Sequence, residues 1–145
     1  MALKVISEVN ELELKKFPIS SQTVLVGDLF VRTAGSTTWT AATATSRFFD
    51  RKVIAYEAAS TAATEFLGYE VKGYENVEAE VTNAAVATDD GDLMVLTDKN
   101  TVNNTHTTNT TEYACFMQTG VGNDTTHIIG KILVGNGVDP DASTT

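Results

Sequence analysis

Three carboxylates crowd one glycine in this chain. Asp89, Asp90 and Asp92 surround Gly91, and Asp98 follows six residues after Asp92. Such oxygens suit a hard cation such as calcium. The spacing departs from the D-x-[DN]-x-[DN]-G loop, and no distal glutamate completes it. In a turn, Asp bonds its own backbone and Gly supplies positive φ, so the cluster reads as a turn. Gly27-Asp28 repeats the Gly-Asp pair without the extra carboxylates, which supports that reading. His106 and His127 lie apart in Thr/Asn-rich stretches and read as surface residues. Cys115 is the only cysteine, and zinc needs more convergent ligands than these three residues supply. Cys115 sits in an apolar stretch with Tyr113 and Met117, which predicts a buried thiol rather than a nucleophile. Gly130-Lys131 lacks the upstream glycine of a phosphate loop. Gly135-Asn136-Gly137 follows the last expected strand with no helix beyond it, which argues against dinucleotide binding. Asn103, Asn109 and Asn123 each open an N-x-Thr sequon, read as chance matches. The expectation is a chain with no catalytic residues, no cofactor and no metal, and hence not an enzyme.

The elements that would position these residues show a repeat. Gly27-Asp28-Leu29-Phe30-Val31 returns as Gly91-Asp92-Leu93-Met94-Val95, an offset of 64. Phe66-Leu67-Gly68-Tyr69-Glu70-Val71-Lys72-Gly73 matches Ile128-Ile129-Gly130-Lys131-Ile132-Leu133-Val134-Gly135, an offset of 62. Val53-Ile54-Ala55-Tyr56-Glu57 has its counterpart in Tyr113-Ala114-Cys115-Phe116-Met117. Two copies suit a duplicated barrel or sandwich better than a solenoid, which needs about three or more repeats. The predicted fold is mainly β: two related β units, residues 21–74 and 75–135, form a barrel- or sandwich-like domain. An extended N-terminal arm or edge segment, residues 1–20, precedes it, and a flexible polar tail, residues 136–145, follows.

Within that frame, strands are expected over Val24 to Arg32, Thr37 to Thr40, Arg51 to Ala58, Leu67 to Val71, Val77 to Val81, Leu93 to Thr97, Tyr113 to Gln118 and Ile128 to Val134. Alternation in Val77, Ala79 and Val81 against Glu78 and Glu80 is the pattern of a half-buried strand. Ala58 to Phe66 is expected to form one or two helical turns. Asp98 to Thr111, rich in Thr and Asn, is expected to be a long exposed loop.

Composition agrees with strands. The chain has 145 residues, 23 of them Thr, whose branched Cβ favours strands. The net charge of −9 would repel a polyanion, so nucleic acid is not an expected partner. A lone cysteine allows no internal disulfide. Glu8, Glu11 and Glu13 break any signal-peptide core, and no apolar run reaches the roughly 18 residues that span a bilayer. The chain is therefore expected to be made in a cytoplasm, with no membrane partner. Aromatics gather in the first unit, where Trp39, Phe48 and Phe49 are candidates for a subunit interface.

The whole pattern resembles the decoration, or cement, proteins of tailed bacteriophage capsids. The residues that carry the resemblance are Val26-Gly27-Asp28-Leu29-Phe30-Val31, Val53-Ile54-Ala55-Tyr56-Glu57-Ala58 and Leu67-Gly68-Tyr69-Glu70-Val71. It implies a structural virion protein on the outer capsid surface that stabilises the shell by bridging capsomers. It further implies a homotrimer, the major capsid protein as partner, and an arm that pairs with capsid strands. In this chain Leu3, Val5, Leu12, Leu14 and Phe17 would form the arm contact. The Thr/Asn loop departs from the family pattern. Two other readings stand beside it: a phage surface or fibre-type β module contacting a host glycan or protein through residues 98–111, and a trimeric β enzyme with its site between subunits.

Overall fold

The computed structural model describes residues 3–7, 13–32, 35–105 and 111–140. The protein is mainly β, as expected. Eleven strands are present among the described residues. They are β1 (Leu3–Val5), β2 (Leu14–Pro18), β3 (Leu29–Arg32), β4 (Thr40–Ala41), β5 (Arg51–Ala55), β6 (Glu65–Glu70), β7 (Val77–Val81), β8 (Leu93–Asp98), β9 (Thr101–Asn103), β10 (Phe116–Val121) and β11 (His127–Ile132).

The repeat in sequence is a repeat in topology. The first sheet runs β2-β6-β5-β3-β4, and the second contains β7-β11-β10-β8-β9. Numbered within each unit, both orders are 1-5-4-2-3. The second unit closes into a five-stranded barrel through a parallel pair, β7 with β9, in which Glu80 faces Thr101 and Val81 faces Val102. In the first unit the same seam is narrower. Trp39 N–H donates to Pro18 O at 2.9 Å. Beside it the Gln22 side chain imitates a strand: Nε2 donates to Trp39 O at 2.8 Å, and Oε1 accepts from Ala41 N–H at 2.8 Å.

Each strand's burial follows its place. β11 alternates strictly, with Ile128, Gly130 and Ile132 turned inward, because one of its faces is covered. From Lys52 to Ala55, β5 is buried on both faces. Val53 and Ala55 join Phe17, Phe30, Trp39 and Phe66 inside the first unit. Ile54 points the other way, with Leu29 and Val31, into a larger core shared with Val77, Ala79, Leu96, Phe116 and Ile128 of the second unit. Gly68 and Gly130 occupy matching places in β6 and β11. An added Cβ would lie 2.6 Å from Val53 Cγ1 at the first and 2.1 Å from Met117 O at the second, so only glycine lets the neighbouring strand approach.

Several expectations are corrected. Residues 1–20 were expected to stand apart as an arm, but over its described part that segment pairs with its own chain. β1 lies antiparallel on β7, beside the stretch that β9 leaves uncovered, and the whole of β2 pairs with β6. The first unit thus starts at β2, not at residue 21. Residues 58–64 form a bridge at Ala59 and turns instead of helix, and β6 begins at Glu65, because Val24 and Ala59 exchange backbone hydrogen bonds. The expected loop 98–111 contains β9, the strand that closes the second barrel. Of the expected tail, residues 136–140 lie within the description: Gly137 N–H donates to Phe49 O at 2.9 Å, and Asp139 pairs with Arg47 at 3.6 Å. Residues 141–145 lie outside it.

Candidate interaction surface

Several of the chemistry-bearing residues make local hydrogen bonds. Asp92 N–H donates to Asp89 O at 2.9 Å, closing a turn whose Gly91 has φ +91°. Asp90 Oδ1 accepts from Gln118 Nε2 at 2.9 Å. Among the described residues, no group of three or more His, Cys, Asp or Glu could hold a metal ion. His127 Nδ1 lies 2.9 Å from Asp124 Oδ1, which also accepts from the Thr126 hydroxyl and N–H. Those hydrogen bonds, the Thr126 hydroxyl first, lower the Asp124 carboxyl to about 2. His106 lies outside the described residues. Cys115 is buried, and its Sγ donates to Ser46 O at 3.2 Å. Burial pushes this thiol up to about 11, so it stays protonated near neutrality.

Buried polar groups lock the units together, and of them only Asp28 was singled out in sequence. Lys52 is fully buried, and its Nζ donates to Leu133 O at 2.6 Å and Arg47 O at 2.7 Å, with Asp50 O at 3.3 Å. Burial lowers its pKa. Asp28, with its side chain 2% exposed, meets Lys99 Nζ at 3.2 Å, while Leu29 N–H donates to Lys99 O at 2.8 Å. Between the sheets, Tyr69 Oη donates to Glu75 Oε2 at 2.5 Å, and the N–H groups of Lys72 and Gly73 donate to the same carboxylate at 2.9 Å. Burial alone would raise the Glu75 pKa; those hydrogen bonds outweigh it and hold the carboxyl below its ordinary value.

The expected contact residues are mostly inside. Leu3, Val5 and Phe17 are buried in their own chain, and Leu14 packs partly buried against the shared core. Leu12 lies outside the described residues. Trp39 is 1% exposed and meets Phe17 edge-on at 5.2 Å, so it fills the first unit's core and offers no surface to a subunit interface. Phe49 is buried as well, whereas Phe48 is half-buried and stacks edge-on with it at 5.3 Å.

Charge is uneven between the two units. Residues 13–76 carry seven basic and seven acidic side chains, whereas residues 77–140 carry two and nine. The first unit is therefore neutral and the second has a net charge of −7. The apolar surface gathers elsewhere. Leu25 and Val26 are exposed at a turn of the first unit, beside an apolar recess of about 150 Å³ lined by β1, Val26 and the end of β5 through Tyr56.

The geometry defines a mainly β protein of two units with matching strand order, the second closed into a barrel. In comparisons with known proteins, no protein-family model, no curated protein and no solved structure matches the chain.

Proposed function

We propose that this chain is a structural virion protein that binds the outside of an assembled phage capsid and stabilises it by bridging capsomers. One observation carries the reading: a neutral unit shares its core with a barrel of net charge −7. A protein that coats a particle needs one end that tolerates close contact and one end that stays hydrated and repels its neighbours in solution. The acidic second unit suits the outward end, and the neutral first unit suits the end against the shell. The buried clasp between the units, Lys52 to Leu133 and Asp28 to Lys99, suits a load-bearing role. The segment resemblance names the same class. Because β1 and β2 are paired within the chain, docking in this proposal uses the folded surface, not a free arm.

The test mixes purified protein with undecorated capsids and images the particles. The expected result is ordered density across capsomer junctions, and particles that burst at a higher temperature than bare ones. Particles that stay bare, or that burst at the same temperature when coated, refute the proposal. Attachment to host cells with no capsid binding would favour the surface-module reading instead.

A further inference from the structure

We infer that the Leu25–Val26 turn and the recess beside it form a self-association surface, covered by a second copy of this chain. This inference stands without the capsid reading, and its test needs no capsid.

The duplication supplies the first argument. Leu25 to Asp28 is a turn closed by Asp28 N–H to Leu25 O at 3.0 Å, with Gly27 at φ +91°. Asp89 to Asp92 is the same turn at the same place in the second unit, closed at 2.9 Å, with Gly91 at φ +91°. The backbones match and the chemistry is opposite. Where one unit carries Asp89 and Asp90, the other carries Leu25, 57% exposed, and Val26, 41% exposed. The second unit shows that this backbone accepts carboxylates, so the turn itself does not require apolar side chains. Single exposed apolar residues need no explanation. These two are adjacent, and Val26 lines an apolar recess.

The recess supplies the second argument. Its volume of about 150 Å³ is lined largely by apolar side chains, with β1 on one side and Ile54, Ala55 and Tyr56 on the other. A hole of roughly that size accepts a benzene-sized group, which is the scale of one leucine side chain. A small ligand would fill the recess but would leave Leu25 uncovered. A copy of this surface brings both halves of the contact: Leu25 as the projection and the recess as its receptor. Charge agrees, since the exposed cation Lys4 lines the recess and the exposed anion Glu57 directly follows the lining residue Tyr56. Such a self-complementary patch closes around a rotation axis.

The experiment is sedimentation of the intact protein across a concentration series. Wild type is expected to associate. Leu25→Asp with Val26→Asp, the residues the second unit carries at this turn, is expected to weaken association at least about tenfold, as loss of a central apolar anchor does. Circular dichroism checks that the variant is folded. A second set uses charge alone: Lys4→Glu weakens association, and adding Glu57→Lys restores it. If the aspartate variant misfolds, the charge set decides. Wild type that stays monomeric throughout overturns the inference. So does association unchanged in a folded aspartate variant, or a charge reversal with no effect.

Discussion

At the scale of single residues, this protein uses its buried charges as joints. Lys52 replaces the water around its ammonium with main-chain carbonyls from both units, at 2.6 Å to Leu133 O and 2.7 Å to Arg47 O. Lys52→Met keeps the length but strands those acceptors, and is expected to destabilise by about 3 kcal/mol, read from a denaturant midpoint. Glu75 gives a pH signature. Its folded pKa lies below the unfolded value, so its contribution is complete above the unfolded pKa and is lost as pH falls through the folded one. Glu75→Gln is therefore expected to cost about 2 kcal/mol near neutrality. The gap to wild type should shrink as pH falls below the carboxylate range. A gap that is constant with pH would mean that the charge is not what stabilises. Neither residue was legible in the sequence. An isolated Lys in Arg-Lys-Val-Ile-Ala reads as a solvated position on an alternating strand, and only burial of both faces of β5 reveals otherwise. The turn at Asp89 and the buried Cys115 were legible, because turn chemistry and apolar context are local.

At the scale of elements, local pattern named most strands, and long-range pairing decided the rest. β7 was readable from alternation of Val77, Ala79 and Val81 with glutamates, and β8 from the repeated Gly-Asp-Leu word. β9 was hidden inside a Thr/Asn stretch, since three residues that close a barrel edge to edge have no periodicity to show. β1 was read as free for the same reason: its partner, β7, lies more than 70 residues away in sequence. The consequence is measurable. Leu3 and Val5 are buried, and burying such a side chain is worth about 1.5–3 kcal/mol. Deleting residues 1–7 should therefore lower stability by about 4 kcal/mol. A truncated protein that unfolds at the wild-type denaturant concentration would show that β1 adds nothing to the fold. The repeat alignment also held a signal that strand reading passes over. Leu25-Val26 stands against Asp89-Asp90 in matched turns, and a duplicated fold exposes such a difference as a change of surroundings.

At the scale of the whole molecule, the question is whether the two β units behave as one. Each unit is about 60 residues, a size at which a single core is marginal. The larger core is not confined to either unit: Leu29, Val31 and Ile54 of the first pack with Ala79, Leu96 and Ile128 of the second. The chain ties the same junction from several directions. β1 starts on the second unit before the chain enters the first, and Gly137 after β11 returns to Phe49. Opening the second unit alone would expose the shared core and take Leu133 O from Lys52 and Lys99 from Asp28. The intermediate with one barrel unfolded is thus penalised on both apolar and electrostatic grounds, which is the condition for two-state behaviour. Calorimetry is expected to show one transition, with van't Hoff and calorimetric enthalpies equal. Lys52→Met should lower that single transition without splitting it. Two resolved transitions in wild type would show that each unit holds its own fold, and that the junction is a linkage between independent units.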